Sequence, residues 1–319
     1  MPLPRELFVN PDAPDPTAVR AAAEVLRGGG LVAFPTETVY GLGANALDAA
    51  AVGRVFAAKG RPATNPLIVH VGDRAEAVAL TPAWTPAAEK LAVAFWPGPL
   101  TLVLKKRPDL PDVVTAGGPT VAVRVPAHPV ALALLNGCRV PVAAPSANRS
   151  GELSPTTADH VRKSLGDRID VLLDGGPCPG GLESTVVDVS GGGVKLLRPG
   201  LISVARLESV VGPVSVGDRV SGPLPSPGML TKHYSPRTAL EVADTPDEVE
   251  FLVNLYETAG LKVARYAPPA DPATAAACLY ADLHALDAGG FDRIIAALPP
   301  DADEWRAVRD RLTRAAAEE

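Results

Sequence analysis

Four basic side chains in the first two hundred residues each border a run that reads as a β-strand: Lys59, Arg61, Arg124 and Arg198. Lysine offers a point charge and arginine a forked donor, so Lys59-Gly60-Arg61-Pro62, between a helical stretch and a strand, suits a phosphate. Cations at a helix C-terminus are equally explained by the helix dipole. Arg124 lies within Val121-Ala-Val-Arg-Val-Pro126, and an arginine in so apolar a strand requires a carboxylate partner or an anionic ligand. Arg198-Pro199-Gly200 ends another strand. Convergence of these four in a chain of net charge −6 would make a focused anion pocket. Near them lie three polar segments at strand-to-loop junctions, where α/β sheets usually place ligands. They are Pro35-Thr36-Glu37-Thr38-Val39-Tyr40-Gly41-Leu42-Gly43, Pro145-Ser146-Ala147-Asn148-Arg149-Ser150-Gly151 and Glu183-Ser184-Thr185. Their hydroxyls and amides either meet a ligand or only close turns. His70, ending an apolar strand, reads first as a satisfied core histidine.

The elements that would position these groups alternate short apolar runs with amphipathic stretches, as in an α/β sheet protein. Asp15-Pro16 opens a helix that Gly28-Gly29-Gly30 stops. Strands are expected at 31–34, 67–71, 100–104, 121–125, 140–144, 171–173, 185–189 and 194–197, and helices at about 48–58, 86–95, 156–165 and 203–211. From Gly212 to Pro236 glycine, proline and serine dominate and the periodicity disappears, which reads as a linker. Beyond it, strands at 239–243, 261–266 and 293–298 alternate with helices at 246–258, 272–287 and 303–317, a small three-layer, Rossmann-like α/β/α domain.

Composition bounds the function. A chain of 319 residues with 47% hydrophobic and 21% charged residues can bury a core and argues for two domains. Its apolar runs fall far short of a membrane helix. Aromatics at 4% and 36 acidic against 30 basic residues disfavour a broad nucleic-acid face. Cys138, Cys178 and Cys278 are widely spaced, so neither a disulfide framework nor a zinc site is signalled, and a reducing, cytoplasmic setting is expected. Gly41-Leu-Gly43-Ala-Asn-Ala46 matches a dinucleotide fingerprint in letters only: it does not directly follow a strand, and an arginine stands about twenty residues on, where an acid belongs. No P-loop sequence occurs.

Taken together, PTETVYGLG, KGRP followed by NPLIVH, WPGPLTLVL, the Ser146–Asn148 triplet with SGELSPT behind it, LESTVVD and LRPG resemble the threonylcarbamoyl-AMP synthase family in its two-domain form. These motifs cover most of residues 15–212 in the family's order. The Gly228-Met229…His233-Tyr234-Ser235-Pro236 stretch resembles its linker, although Leu230-Thr231-Lys232 departs from the expected aromatic and arginine. The resemblance implies a YrdC-like domain over 1–212, a twisted mixed open sheet with helices. It further implies a linker at 213–236 and a smaller domain at 237–319. The prolines that stiffen the linker suggest a lid over the active site. The implied reaction joins L-threonine, bicarbonate and ATP into threonylcarbamoyl-adenylate and pyrophosphate, for a downstream tRNA threonylcarbamoyl transferase complex. By analogy, Thr36, His70, Arg124, Ser146 and Ser184 would hold threonine, with Arg124 on its carboxylate. Lys59, Arg61, Thr120, Asn148, Ser154, Arg198 and Tyr234 would hold ATP. Lys59, Arg61, Ser146 and Asn148 would carry the catalytic load, and Mg²⁺ would accompany the phosphates on ligands the sequence does not identify. A double-stranded RNA-binding module of the same fold is the principal rival, disfavoured by the net charge; a carbamoyltransferase subdomain would normally sit in a longer chain.

Overall fold

The computed structural model describes residues 3–216 and 234–317. The lid expected from the linker composition falls mainly on 217–233, outside the described residues.

Eleven strands form one mixed sheet. In chain order its elements are β1 (Arg5–Phe8), α1 (Pro16–Arg27), β2 (Val32–Phe34), β3 (Gly41–Asn45), α2 (Ala49–Lys59), β4 (Ile68–His70), α3 (Arg74–Val78), α4 (Pro86–Phe95), β5 (Leu100–Lys105), α5 (Asp112–Thr115), β6 (Thr120–Arg124), α6 (Pro129–Cys138), β7 (Val142–Ala143), α7 (Ala158–Leu165), β8 (Val171–Asp174), β9 (Thr185–Asp188), β10 (Lys195–Arg198), α8 (Val204–Val211) and β11 (Ser215–Val216). The spatial order is β1-β8-β2-β3-β7-β4-β6-β5-β9-β10-β11. β11 pairs with β10 and lies inside the segment expected to be linker. A second, all-parallel sheet is built from β12 (Ala239–Ala243), α9 (Pro246–Thr258), β13 (Val263–Tyr266), α10 (Pro272–Asp287), β14 (Arg293–Ala297) and α11 (Arg306–Ala316), with β14 central. Among the described residues no helix is long and apolar enough to cross a membrane.

Local chemistry explains the elements that sequence reading found. Asp15 caps α1 by accepting from the Thr17 and Ala18 amides, and Pro16 supplies a preset φ at the first helical position. Ala18, Ala22, Ala23 and Leu26 then form one buried stripe. α2 ends at Gly60, whose φ of +62° is the left-handed cap glycine adopts without penalty. Six elements escaped, β1, β3, α3, α5, α6 and β11, and three of them show why. β3 reads Gly-Leu-Gly-Ala-Asn, a composition depleted in strand formers. A Cβ on Gly43 would stand 2.8 Å from Val142 Cγ1 and 2.9 Å from Phe34, so this strand exists where neighbours approach too closely for a side chain. α6 is apolar nearly all round and so has no helical period to read; its start is marked by His128, whose Nδ1 accepts from the Val130 amide, followed by Pro129. β1 is a short edge strand.

The two sheets share a core. Val39, Leu153 and Leu182 from the large sheet's loops, with Tyr234, pack into the cluster formed by Leu279, Tyr280, Leu283, Val308 and Leu312 of the small domain. Contact is closest at Gly181: a Cβ there would lie 2.2 Å from the Ala277 carbonyl oxygen and 2.4 Å from that of Ala276. Its φ of +70° also disfavours any side chain. Gly181→Ala should therefore weaken the seating of α10 and destabilise the fold by about 1–3 kcal/mol. An unchanged melting temperature in that variant would show the helix to be loosely docked.

Candidate active site

Strand register builds the site. β4 and β6 are parallel, with His70 opposite Arg124 and Ile68 opposite Ala122. Residues two apart on a strand share a face, and Ile68, His70 and Arg124 all line one pocket. The pocket thus lies over a face of the sheet and is not confined to the strand ends where the loops alone had suggested it. Two loops close its rim, tied by Leu42 N–H to the Pro145 carbonyl and Ala147 N–H to the Tyr40 carbonyl, 2.8 Å each. Glu183 and Ser184 before β9, Arg198 ending β10 and Tyr234 complete it, around about 510 Å³ of empty space.

Eight of the twelve residues expected at the site line this pocket: Thr36, Arg61, His70, Arg124, Ser146, Ser184, Arg198 and Tyr234. Lys59, Thr120, Asn148 and Ser154 do not. Lys59 is buried, and its ammonium donates to the carbonyls of Ser146 (2.5 Å) and Asn148 and to Asn148 Oδ1 (3.4 Å). Burial, then the Arg61 charge, push its pKa well below the usual lysine value. Asn148 in turn donates to the Arg149 and Glu152 carbonyls. These two residues shape the loop that presents Ser146. Ser154 donates to Glu183 Oε1 at 2.5 Å, behind the pocket wall. Thr120 is opposite Lys105 at the far end of β6, four residues or about 13 Å from Arg124 along the strand.

The lining is electrostatically uneven. Arg61 donates to the Asn65 and Pro66 carbonyls and to Asn65 Oδ1 at 2.6–3.0 Å. Its pKa falls to about 10, chiefly through burial; Tyr234 opposes the shift and the neighbouring Arg198 charge adds to it. Arg198 holds Ser184, with Nε and Nη2 on its carbonyl at 3.2 and 3.0 Å and Nη2 on its hydroxyl at 3.1 Å. That contact needs Gly200, since a Cβ there would stand 2.4 Å from the Thr185 amide. Across the pocket, Arg124 Nη2 donates to Glu37 Oε1 at 2.7 Å and Thr38 Oγ1 at 2.9 Å. Among the described residues its buried Nε has no hydrogen-bond partner, and neither has His70 Nδ1. Burial, reinforced by Arg124, holds the His70 pKa down to about 3, so the imidazole is neutral. Thr36 accepts from the Thr38 and Val39 amides and donates to the Val39 carbonyl, so it also closes the turn.

Sequence reading missed Glu37 and Thr38 as Arg124's partners, named Glu183 only as part of a polar segment, and missed Tyr280 and Arg311 altogether. For Arg124 the demand for a carboxylate was legible, though not its source. Glu183 accepts from Ser154, from Tyr280 Oη at 3.1 Å and from Arg311 Nε at 2.8 Å. Burial would raise its pKa, but Arg311 and then Arg198 outweigh that and hold it near 2. The available signal was the spacing of Ala307, Arg311 and Ala315, which puts an arginine on the apolar face of α11.

Among the described residues no group of three or more potential ligands from His, Cys, Asp and Glu could hold a metal ion. Glu183, which lines the pocket, and Glu37, which contacts Arg124, are each paired with an arginine.

Comparison with known proteins agrees with this architecture. The family model described as Telomere recombination matches residues 24–200, and that described as Threonylcarbamoyl-AMP synthase, C-terminal domain, matches 202–317. A threonylcarbamoyl-AMP synthase of Bacillus subtilis is 43% identical over 325 residues, covering 95% of this chain and 93% of its own length. The crystal structure of P. abyssi Sua5 complexed with L-threonine superposes with a TM-score of 0.92 at 39% identity, over 98% of this chain and 97% of that one. Full-length HypF in its phosphate- and nucleotide-bound form shares the fold alone, at TM-score 0.51 and 24% identity over 58% of this chain and 30% of its own. The chain therefore belongs to the threonylcarbamoyl-AMP synthase family of nucleotidyltransferases, in its two-domain form.

Proposed function

We propose that this pocket condenses L-threonine, bicarbonate and ATP into threonylcarbamoyl-adenylate and pyrophosphate, for use by a tRNA threonylcarbamoyl transferase complex in the cytoplasm. The observation that carries the reading is a pair of buried nitrogens without a partner among the described residues, Arg124 Nε and His70 Nδ1, set in a pocket whose other wall holds Arg61 and Arg198. One anionic site alone would not need both walls.

The substrate carboxylate meets Arg124, whose Nη2 already holds Glu37, while the neutral His70 offers a hydrogen bond without adding charge. Thr36, Ser146 and Ser184 supply hydroxyls around the rest of threonine. Bicarbonate yields CO₂ by losing hydroxide; the amine forms a bond to the carbon of CO₂ and loses a proton, which with the hydroxide makes water; a carbamate oxygen then attacks the α-phosphorus as the bond to pyrophosphate breaks. No protein nucleophile is needed, so the residues act by placing two anions together and countering the charge on the phosphates. Arg61 and Arg198 do the latter, and Lys59 acts through the Ser146–Asn148 loop. Ile68, Val103, Ala122 and Val186 form a buried apolar cluster on the sheet between Arg124 and Thr120, of which Ile68 lines the pocket. Among the described residues no cluster of ligands would hold Mg²⁺, so in this reading any magnesium enters on the phosphates of ATP. Residues 1–212, 213–236 and 237–319 serve as catalytic domain, linker and small domain.

The purified chain should release pyrophosphate from ATP only when threonine and bicarbonate are both present; release without either would overturn the reading. Arg61→Ala should lower turnover by roughly 10²–10³-fold, the range for removing one donor to developing charge. Wild-type rates in that variant would remove Arg61 from the phosphate site.

Arg124→Ala should raise the KM for threonine far more than that for ATP, and Arg124→Lys should restore little, because an ammonium cannot copy a fork that serves Glu37 and a second carboxylate. Equal weakening for both substrates would mark Arg124 as a structural member of β6.

A pH prediction follows from His70. The folded protein keeps it neutral down to about pH 3, whereas the unfolded chain protonates it near 6.5. Its contribution to stability is therefore complete above pH 6.5 and is lost as pH falls from 6.5 toward 3. His160, lowered to about 4 chiefly by burial, adds in the same direction. The urea midpoint should fall between pH 7 and 5, by up to about 1.4 kcal/mol of stability per pH unit for each such group, and His70→Gln should flatten the slope. A midpoint constant over that range would show these histidines to be protonated in the fold.

A further inference from the structure

Arg311 heads the largest side chains that are fully buried, at 1% exposure. It comes from the last helix of the small domain and lies far in sequence from every residue assigned to the pocket. A guanidinium buried there needs an explanation, because docking two domains does not require one: replacing a buried ion pair by apolar groups of similar volume is often neutral or stabilising.

Its contacts supply the explanation. Nε donates to Glu183 Oε2 at 2.8 Å, and Nη2 donates to the Pro199 carbonyl at 3.0 Å. Nη1 is held by Asp310 at 2.5 Å, and the guanidinium carbon lies 5.0 Å from the centre of the Tyr234 ring. Glu183 directly precedes Ser184, Pro199 directly follows Arg198, and Tyr234 itself lines the pocket. One side chain of the small domain therefore fastens three pocket segments that are separate in sequence. Tyr280, from the same domain, adds its hydroxyl to both oxygens of Glu183 at 3.1 Å and packs against Tyr234 at 5.9 Å between ring centres.

We propose that Arg311, assisted by Tyr280, is a positioning residue of the active site: the small domain clamps Glu183, Pro199 and Tyr234 and so sets Ser184, Arg198 and Tyr234 for substrate. This rests on the reading above, in which Arg198 and Tyr234 serve ATP and Ser184 serves threonine. With two of the three dependent residues on the nucleotide, loss of the clamp falls mainly on ATP. A bidentate fork is essential, since one group must reach a carboxylate and a carbonyl from different segments.

The test uses the full chain and four variants: Arg311→Met, Arg311→Lys, Tyr280→Phe and the double variant E183Q/R311M. Kinetics of pyrophosphate release are read beside melting temperature, and ATP affinity is measured separately by calorimetry. Arg311→Met should raise the ATP KM at least tenfold and the threonine KM less. Arg311→Lys should recover only part of the loss, and Tyr280→Phe should show a smaller shift of the same kind. The double variant leaves no unpaired buried charge, so its melting temperature should return toward that of the wild type while the ATP KM stays raised. Recovery of the KM together with the melting temperature would overturn the proposal, assigning Arg311 to stability alone; so would substrate KM values in Arg311→Met within twofold of the wild type. Absence of threonine-dependent pyrophosphate release in the wild type would sink the substrate reading instead. The clamp would then be judged by calorimetry, where unchanged ATP affinity in Arg311→Met would overturn it.

Discussion

A cation removed from water must be surrounded by oxygen, and the large domain is arranged around that requirement. Lys59, Arg61, Arg124 and Arg198 are all at least nine-tenths buried. Arg124 takes a glutamate. Lys59 and Arg61 are met by carbonyls and an asparagine side chain, and Arg198 by the carbonyl and hydroxyl of Ser184. Carbonyl dipoles stabilise a buried charge without cancelling it, so positive potential survives inside a chain that is negative overall. The loops follow from this. The segment 146–148 passes where the Lys59 ammonium can reach two of its carbonyls, and Glu183-Ser184 lies against Arg198-Pro199-Gly200 because Gly200 lets the backbones meet.

Punctuation made much of this fold legible. Asp15 with Pro16, Thr85 with Pro86 and Thr245 with Pro246 open helices where residue chemistry says they should, and the apolar runs became strands. What failed to show were elements whose evident purpose is close contact. Glycines in β3 remove the side chains by which a strand is recognised, and the apolar α6 lacks a polar face to give it a period. For the pocket, residues at strand ends were readable because a charge or hydroxyl at an apolar run's edge is conspicuous. Their separation into those that line the pocket and those that brace it was not. Lys59 and Asn148 look from sequence like ligand groups, yet their donors turn to the backbone, which depends on how two distant loops meet. Arg311 was hidden by three other arginines of its helix, all nearer to solvent.

The same charge logic recurs where the two domains share a core. Arg311 repeats in the interface what Arg124 does in the sheet, pairing a glutamate from a pocket segment so that this carboxylate does not offset the cationic lining. Glu37 and Glu183 are thereby kept beside the cationic lining as supports. Had either been unpaired, it would repel the two anionic substrates the proposed reaction brings together.

The neutral histidine completes the argument. A carbamate returns to amine and CO₂ once protonated, so an acidic imidazolium beside threonine would undo the first bond of the proposed reaction. Desolvation and the Arg124 charge both oppose protonation of His70, and the register of β4 against β6 puts Arg124 directly opposite it. Moving the arginine by one strand position would turn it to the other face, removing the proposed carboxylate clamp and one of the two influences that keep the imidazole neutral. Strand register, more than any single side chain, thus sets the chemistry this pocket can perform.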